Sequence, residues 1–562
     1  MEPRRPQLLD AGLFLIAVAV PLALFPLSRA PFADAKLLLL SVGTLLVWAS
    51  GVPASRRLSV PAAAWFGVCL VAAVAGADPL TSVIGQFAST GLVLLGICAL
   101  LVVIGPRLSE RAVSHIRRWL VPTGLVVAAV ALAYRFVPEA LDRLVPDLSF
   151  VGSTLGNPIF AAAFLAACIP AAIADEEGRT WKLLAILTVI TSGLAVNGER
   201  SSLLLPLVAL AASAWFGVPD RRRMLAGAVT VVVVVIGWAL VTPLLPTSTG
   251  LSSTVEQFGT LKGEQQRVAV YTANLRAFSR RPVLGWGPGN AWSGYLNSAS
   301  ASEVRTAGRG WGDAHDLPLQ SLVTTGVIGT AALLFLLARA APGLSRRRRS
   351  SWWVPASAST LAVFHLYEPL NLVVTPLLFL LLGVATGESE TAPQPSPTDL
   401  EPQPAASTLR TSSSAIAARI LVATLLTMAV VVSGLVLTAS ALEQWGRTHY
   451  AEWALQRSLD VQPWRISAAE TLAFNLALDG RAGDATAARE ARALIKDTVE
   501  DHPWDPGVRI VAAGVEQLLR NPAGAQRWID EQLRRFPSDV LPTGEPTLVT
   551  PSATTTVPPS SS

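Results

Sequence analysis

The chain has 562 residues, of which 51% are hydrophobic and only 15% charged, a balance too apolar for an ordinary soluble protein of that length. The mean hydropathy of +0.47 agrees. The formal charge of +5 does not point to nucleic acid, because Lys and Arg occupy short segments between apolar runs and form no continuous soluble face.

From the N-terminus, the run LFLIAVAVPLALFPL is followed almost at once by KLLLLSVGTLLVWA, with no small-residue cleavage site between them. The first helix is therefore expected to stay. The apolar pattern predicts helices near residues 9–28, 35–50, 60–76, 87–105, 119–136, 158–174, 180–196, 201–218 and 223–243. After a long polar interruption it predicts four more, near 317–338, 352–367, 369–386 and 415–439. Most of these runs are long enough to cross a hydrocarbon core of about 30 Å as a helix. The predicted fold is all-α: a polytopic transmembrane bundle of about 12–13 helices. Cys69, Cys98 and Cys168 all fall inside apolar runs without ligand spacing and read as packing residues.

Basic residues alternate between the connections. Arg4 and Arg5, Arg56 and Arg57, Arg107 to Arg118, Arg179 and Lys182, Arg221 to Arg223, and Arg346 to Arg349 share one side. The positive-inside bias makes that side the cytoplasm, with the N-terminus in it. The other side then receives Gly152–Pro158, Asn197–Arg200, the loop 244–316 and everything after the last helix.

The partition that follows is a membrane domain over 1–386, a linker over 387–413 and a last span over 414–440. A small helical domain over 441–540 and a tail over 541–562 complete it. Linker and tail are rich in Pro, Ser and Thr, and bury too little apolar surface to fold alone. The 441–540 segment is Ala-rich and amphipathic, punctuated by QPW, HPW and FPSD at Pro463, Pro503 and Pro537, 40 and 34 residues apart. That spacing suggests helix-turn-helix repeats of the tetratricopeptide type, which make concave partner surfaces. An ordinary small helical bundle is the other reading.

Polar chemistry concentrates in the long loop, in RVAVYTANLRAFSRRPVLGWGPGNAW from Arg267 to Trp292. Gly285, Gly287 and Gly289 are no dinucleotide fingerprint, since the strand and βαβ context are absent. Together with Pro288 they predict a tight backbone path held close to another surface. Arg280 and Arg281 read as a basic face near lipid phosphates. The loop closes on AHDLPLQSLVTTGVIG, where His315 stands between Asp313 and Asp316 just before an apolar helix. It is either an interfacial histidine satisfied by Asp316 or by backbone, or a proton acceptor at the edge of the membrane. His115, His365, His449 and His502 have no comparable company in the sequence. Arg200, beside Glu199 in a short outer loop, is either a snorkelling side chain or an anion ligand.

The pieces in this order resemble the O-antigen ligase and polymerase superfamily: GSTLGNP, NGERSSLL, Arg267 ahead of RPVLGWGPGN, then His315, Leu317, Leu319, Gln320, Leu322, Gly326 and Gly329. The resemblance covers roughly residues 10–385, with Asp316 where Asn is common and Thr324 or Thr325 where Glu is common. It implies an enzyme on the outer face of a bacterial cytoplasmic membrane that moves glycan from a polyprenyl-diphosphate donor to a glycan, lipid or protein hydroxyl. Such transfer needs a base for the hydroxyl proton and cations for the diphosphate leaving group. The resemblance gives the first role to His315 and the second to Arg200 and Arg267, with Asp316, Gln320 and Asn157 as orienting or supporting residues. Neither metal nor other cofactor is expected, since no ligand cluster and no P-loop occurs. Expected partners are the lipid-linked donor, the acceptor, the bilayer and a protein at the C-terminal domain. The competing class is a polytopic transporter or glycan flippase, which would carry intramembrane charges or interrupted helices.

Overall fold

The computed structural model describes residues 4–85, 90–139, 141, 150–174, 180–197, 201–218, 220–241, 262–309, 311–345, 351–368, 370–387, 413–537 and 539. Arg200, most of the 387–413 linker and the 541–562 tail lie outside the described residues. Among those described the ordered elements are helices, without a strand.

Every predicted apolar helix is present. They are α1 (Arg4–Phe14, continued by a π-helical turn Leu15–Ala19 and Val20–Leu22), α2 (Asp34–Ala49), α3 (Arg56–Val74), α5 (Leu92–Ile104, after the short α4, Pro79–Ile84) and α6 (Glu110–Phe136). Next come α7 (Pro158–Ile173), α8 (Thr180–Val196), α9 (Ser201–Phe216) and α10 (Arg221–Val241). After the loop stand α14 (Leu317–Ser345), α15 (Trp353–Phe364), α16 (Val374–Thr386) and α17 (Ser413–His449). Six of these are long and apolar enough to cross a membrane. The others have 12 to 17 residues. At 1.5 Å per residue, the shortest reach about 18 Å, and they lie deep in the bundle: nearly all of α16 is buried.

Small residues set the crossings. A Cβ at Gly12 would stand 2.6 Å from the carbonyl oxygen of Gly43, so α1 and α2 approach backbone to backbone. Ser41 and Ser433 join α2 to α17 through their hydroxyls at 3.1 Å. The first span ends at Leu22, well short of the predicted residue 28, because Ala23 turns extended. The buried Lys36 ammonium donates to the carbonyls of Pro21 and Ala23 at that terminus, where a cation complements the helix dipole.

One end of the bundle gathers basic segments: Arg5 and Arg419 both flank Gly51. The opposite end carries the loop and the C-terminal helices. The loop holds three helices that the sequence reading did not anticipate: α11 (Lys262–Arg280), α12 (Ala291–Ser298) and α13 (Ala301–Ala307). The C-terminal segment forms α18 (Glu452–Val461), α19 (Ile466–Ala482), α20 (Ala485–Asp501), α21 (Val508–Leu518) and α22 (Pro522–Arg535). Pro463, Pro503 and Pro537 fall in turns or just past a helix end.

The punctuation motifs do more than end helices; they dock this domain on the loop. Trp504 meets Trp286 edge-on at 5.7 Å and lies under the guanidinium groups of Arg281 and Arg535. Phe536 is buried with Tyr295, Leu296 and Val304. Arg309 makes a two-point contact with Asp539, at 2.7 and 2.8 Å. His502 reaches Asp78 at 2.6 Å. Arg281 is therefore no lipid-facing residue, and Arg280 donates to the carbonyl and the side chain of Asn297.

The glycine-rich turn owes its path to α14, which is broken at Gly326 (φ 65°, ψ −168°). Trp286 and Gly287 donate their amides to the carbonyls of Val323 and Thr324 at 2.8 and 2.9 Å. Val327 donates to the carbonyl of Pro282 at 2.8 Å. Loop backbone thus replaces helix backbone, which keeps a broken helix satisfied. A Cβ at Gly326 would lie 2.2 Å from the Val283 oxygen, so no larger residue fits.

Candidate active site at the start of α14

His315 is held in a left-handed backbone conformation, φ 58°, costly for a residue with a side chain. Its neighbours fix it there. The Ala314 amide donates to Gln320 Oε1 at 2.7 Å, and the His315 amide donates to Asp313 Oδ1 at 2.9 Å. The Leu317 amide donates to the carbonyl of His365 at 3.0 Å, pinning the start of α14 to the end of α15. The Leu319 amide donates to Asp316 Oδ1 at 2.5 Å, an N-cap.

Two carboxylates flank the imidazole. Nδ1 lies 3.1 Å from Asp313 Oδ1 and 3.9 Å from Glu368 Oε2. Trp311 closes one side edge-on, with ring centroids 4.1 Å apart. Glu368, only 3% exposed, also accepts from Arg267 Nη2 at 2.8 Å, and Arg267 itself remains partly open to solvent. Tyr271, one turn along α11, lies close enough for Asp316, Arg267 and Glu368 all to act on it, and burial pushes its phenol above the ordinary range.

Burial, helped by the Arg267 charge, holds the His315 pKa down at about 4. Burial pushes Asp313 up to about 6, partly opposed by the hydrogen bond from the His315 amide. Near pH 7 the pair is therefore a neutral imidazole beside an ionised carboxylate, with a half-exposed guanidinium on the far side of Glu368. A neutral ring with two acids near Nδ1 can receive a proton at Nε2 and have the resulting charge stabilised, while the guanidinium offers its remaining N–H groups to an anion.

Of the residues singled out in sequence, the fold brings His315 and Arg267 together through Glu368. Four other loop arginines have contacts elsewhere: Arg276 binds Glu303 and the Ser298 carbonyl, Arg280 binds Asn297, Arg281 lies over Trp286 and Trp504, and Arg309 binds Asp539. Gln320 holds the backbone ahead of His315. Asp316 caps α14, and the aspartate beside the ring is Asp313. Asn157 caps α7, its Oδ1 accepting from Ile159 at 2.9 Å; one turn on, Phe160 packs against Phe364 in the helix that leads to Glu368. Arg200 lies outside the described residues.

The sequence reading passed over Glu368. Its signal was there, a lone acid between two apolar runs, where an ionisable residue is expensive and demands a partner. His365 and His502 also have closer company than the sequence reading allowed: His365 anchors Leu317, and His502 pairs with Asp78.

Residues 183–334 match the family model described as O-antigen ligase. No curated protein matches the chain. The matched segment contains Arg267 and His315, and Glu368 lies beyond it.

Proposed function

We propose that this chain, whose residues 183–334 match the O-antigen ligase family model and which has, among its described residues, six helices long and apolar enough to cross a membrane, transfers glycan from a polyprenyl-diphosphate donor to an acceptor hydroxyl on the outer face of a bacterial cytoplasmic membrane. The observation that carries the reading is the joining of His315 and Arg267 across the buried Glu368. The donor diphosphate binds the open N–H groups of Arg267, with Arg200 as a second cation. His315 Nε2 takes the acceptor proton as the acceptor oxygen bonds to the anomeric carbon. The bond from that carbon to the phosphate oxygen breaks, and its electron pair leaves with the diphosphate. Asp313 and Glu368 stabilise the imidazolium that forms.

The arrangement also couples binding to basicity. Arg267 helps to hold His315 at about pKa 4. A diphosphate on Arg267 offsets that charge, so the imidazole becomes a stronger base when the donor arrives. The reaction needs no redox partner, and its driving force is the activated donor.

The transporter reading gains one observation from the fold, the interruption of α14 at Gly326. The groups freed there are occupied by loop backbone and are not turned toward a pathway. Donor-to-acceptor transfer in membranes, compared between wild type and His315→Ala at equal protein level, separates the two. Transfer lost with donor accumulating supports the enzyme; unchanged transfer removes His315 from the chemistry and favours the transporter.

A further inference from the structure

A cleft of about 480 Å³ opens between the C-terminal helices and the outer end of the bundle, apart from the His315 site. This lies within the range of about 300–1,000 Å³ usual for small-molecule sites. Its floor is the start of α12, from Gly289 to Ser293, and its walls come from the α1–α2 connection and from the turn between α18 and α19.

Most of the charge around the cleft is already engaged. Asp78 binds His502 and caps α4. Asp505 accepts from the amides of Gly507 and Val508 at 2.7 and 3.0 Å. Arg465 binds Glu443 at 2.6 Å. Asp34 keeps one buried carboxylate oxygen without a donor among the described residues, and the rest of the lining is of another kind: the Ser293 hydroxyl, the Glu470 carboxyl, and the half-buried indoles of Trp464 and of Trp292, the latter with its N–H already given to the Arg309 carbonyl. The Trp464 indole N–H is buried without an acceptor among the described residues. Burial, with Asp505 and Glu443 close by, pushes the Glu470 carboxyl up to about 8, so near pH 7 it keeps its proton and both donates and accepts.

Indole faces beside uncharged donors and acceptors suit a pyranose, whose C–H face lies on an aromatic ring while its hydroxyls reach the polar groups. An anion is disfavoured, because Asp34, Asp78 and Asp505 outnumber Arg29 and Arg465, and both arginines are paired with Glu443. A lipid tail is disfavoured by the polar walls. Resting on the glycan-transfer reading, we infer that this cleft binds a short, uncharged saccharide segment of one of the two substrates. The cleft also touches the candidate catalytic shoulder. Trp292 donates its indole N–H to the Arg309 carbonyl at 2.5 Å, two residues before Trp311, whose ring packs on His315. Filling the cleft therefore bears on the segment that presents His315.

The test uses the full chain in nanodiscs and, as probe, the oligosaccharide released by mild acid from the polyprenyl-diphosphate pool of the expressing cells. Saturation-transfer NMR and titration calorimetry read its binding apart from any turnover. Wild type and His315→Ala should bind it alike, while Trp464→Ala and Glu470→Gln should weaken binding tenfold or more with unchanged thermal unfolding. In the transfer assay the same two variants should raise KM tenfold for one substrate and leave kcat nearly unchanged. A rise for the donor places the donor glycan in the cleft, and a rise for the acceptor places the acceptor there. Equal binding by wild type, Trp464→Ala and Glu470→Gln, or a fall in kcat with KM unchanged, overturns the inference. Saccharide binding that depends on Trp464 in a protein without transfer activity supports the cleft and defeats the transferase reading alone.

Discussion

His315 and His502 each turn Nδ1 toward an aspartate, 3.1 Å from Asp313 in one case and 2.6 Å from Asp78 in the other. The second pair is sealed, with side chains 3% and 6% exposed, and joins segments 424 residues apart. The first is local, 22% exposed at the ring, backed by a second acid and within the field of Arg267. A histidine beside an aspartate is thus no sign of catalysis by itself. On the proposed reading, reach to solvent and a neighbouring cation separate the His315 pair from the His502 clamp.

Substituting the two histidines should break this comparison most sharply. His315→Ala should lower transfer by about 10²–10⁴-fold, the usual contribution of a positioned acid or base, with the thermal unfolding profile retained. His502→Ala should leave the chemistry of bound substrate nearly intact but remove about 1–3 kcal/mol from the docking of the C-terminal helices, because Asp78 loses the donor that ties it to them and keeps only its local ones from Leu80 and Thr81. Hydrogen exchange at α20 and α21 reads that loosening. A comparable loss of kcat in both variants would mean that the clamp also takes part in turnover.

Glu368→Gln tests the link between ring and guanidinium. It should cost up to about 10²-fold in transfer through misplacement of Arg267, and raise KM for the donor. An unaffected KM would show that Glu368 does not hold the guanidinium in place.

Asp313→Asn has the smallest expected effect on rate, about tenfold or less, but the clearest pH signature. Asp313 sits at about 6 and His315 at about 4, so on acidification the carboxylate is protonated before the imidazole. Wild-type transfer should therefore fall as pH drops through about 6, and Asp313→Asn should lack that limb. A limb that survives in the variant would assign it to another group.

Much of the membrane part was legible in the sequence, because an apolar run of adequate length has few options other than a helix. The lone His315 and the glycine run were visible for a similar reason: residues rare in such a chain, or tolerant of positive φ, announce a constraint. What could not be read was the partner. That Gly285 packs on the Val323–Thr325 backbone and Gly326 on Val283, that Glu368 lies between Arg267 and His315, and that HPW and FPSD dock on the loop are all contacts between segments distant in sequence. The loop helices were hidden for a milder reason, since α11 is polar on average and the loop was read for its motifs. Composition and periodicity determined the helices and their approximate ends. The tertiary structure decided which of two aspartates faces His315, which of several arginines reaches Glu368, and which histidine joins the C-terminal helices to Asp78, because burial and charge proximity depend on packing that no local pattern encodes.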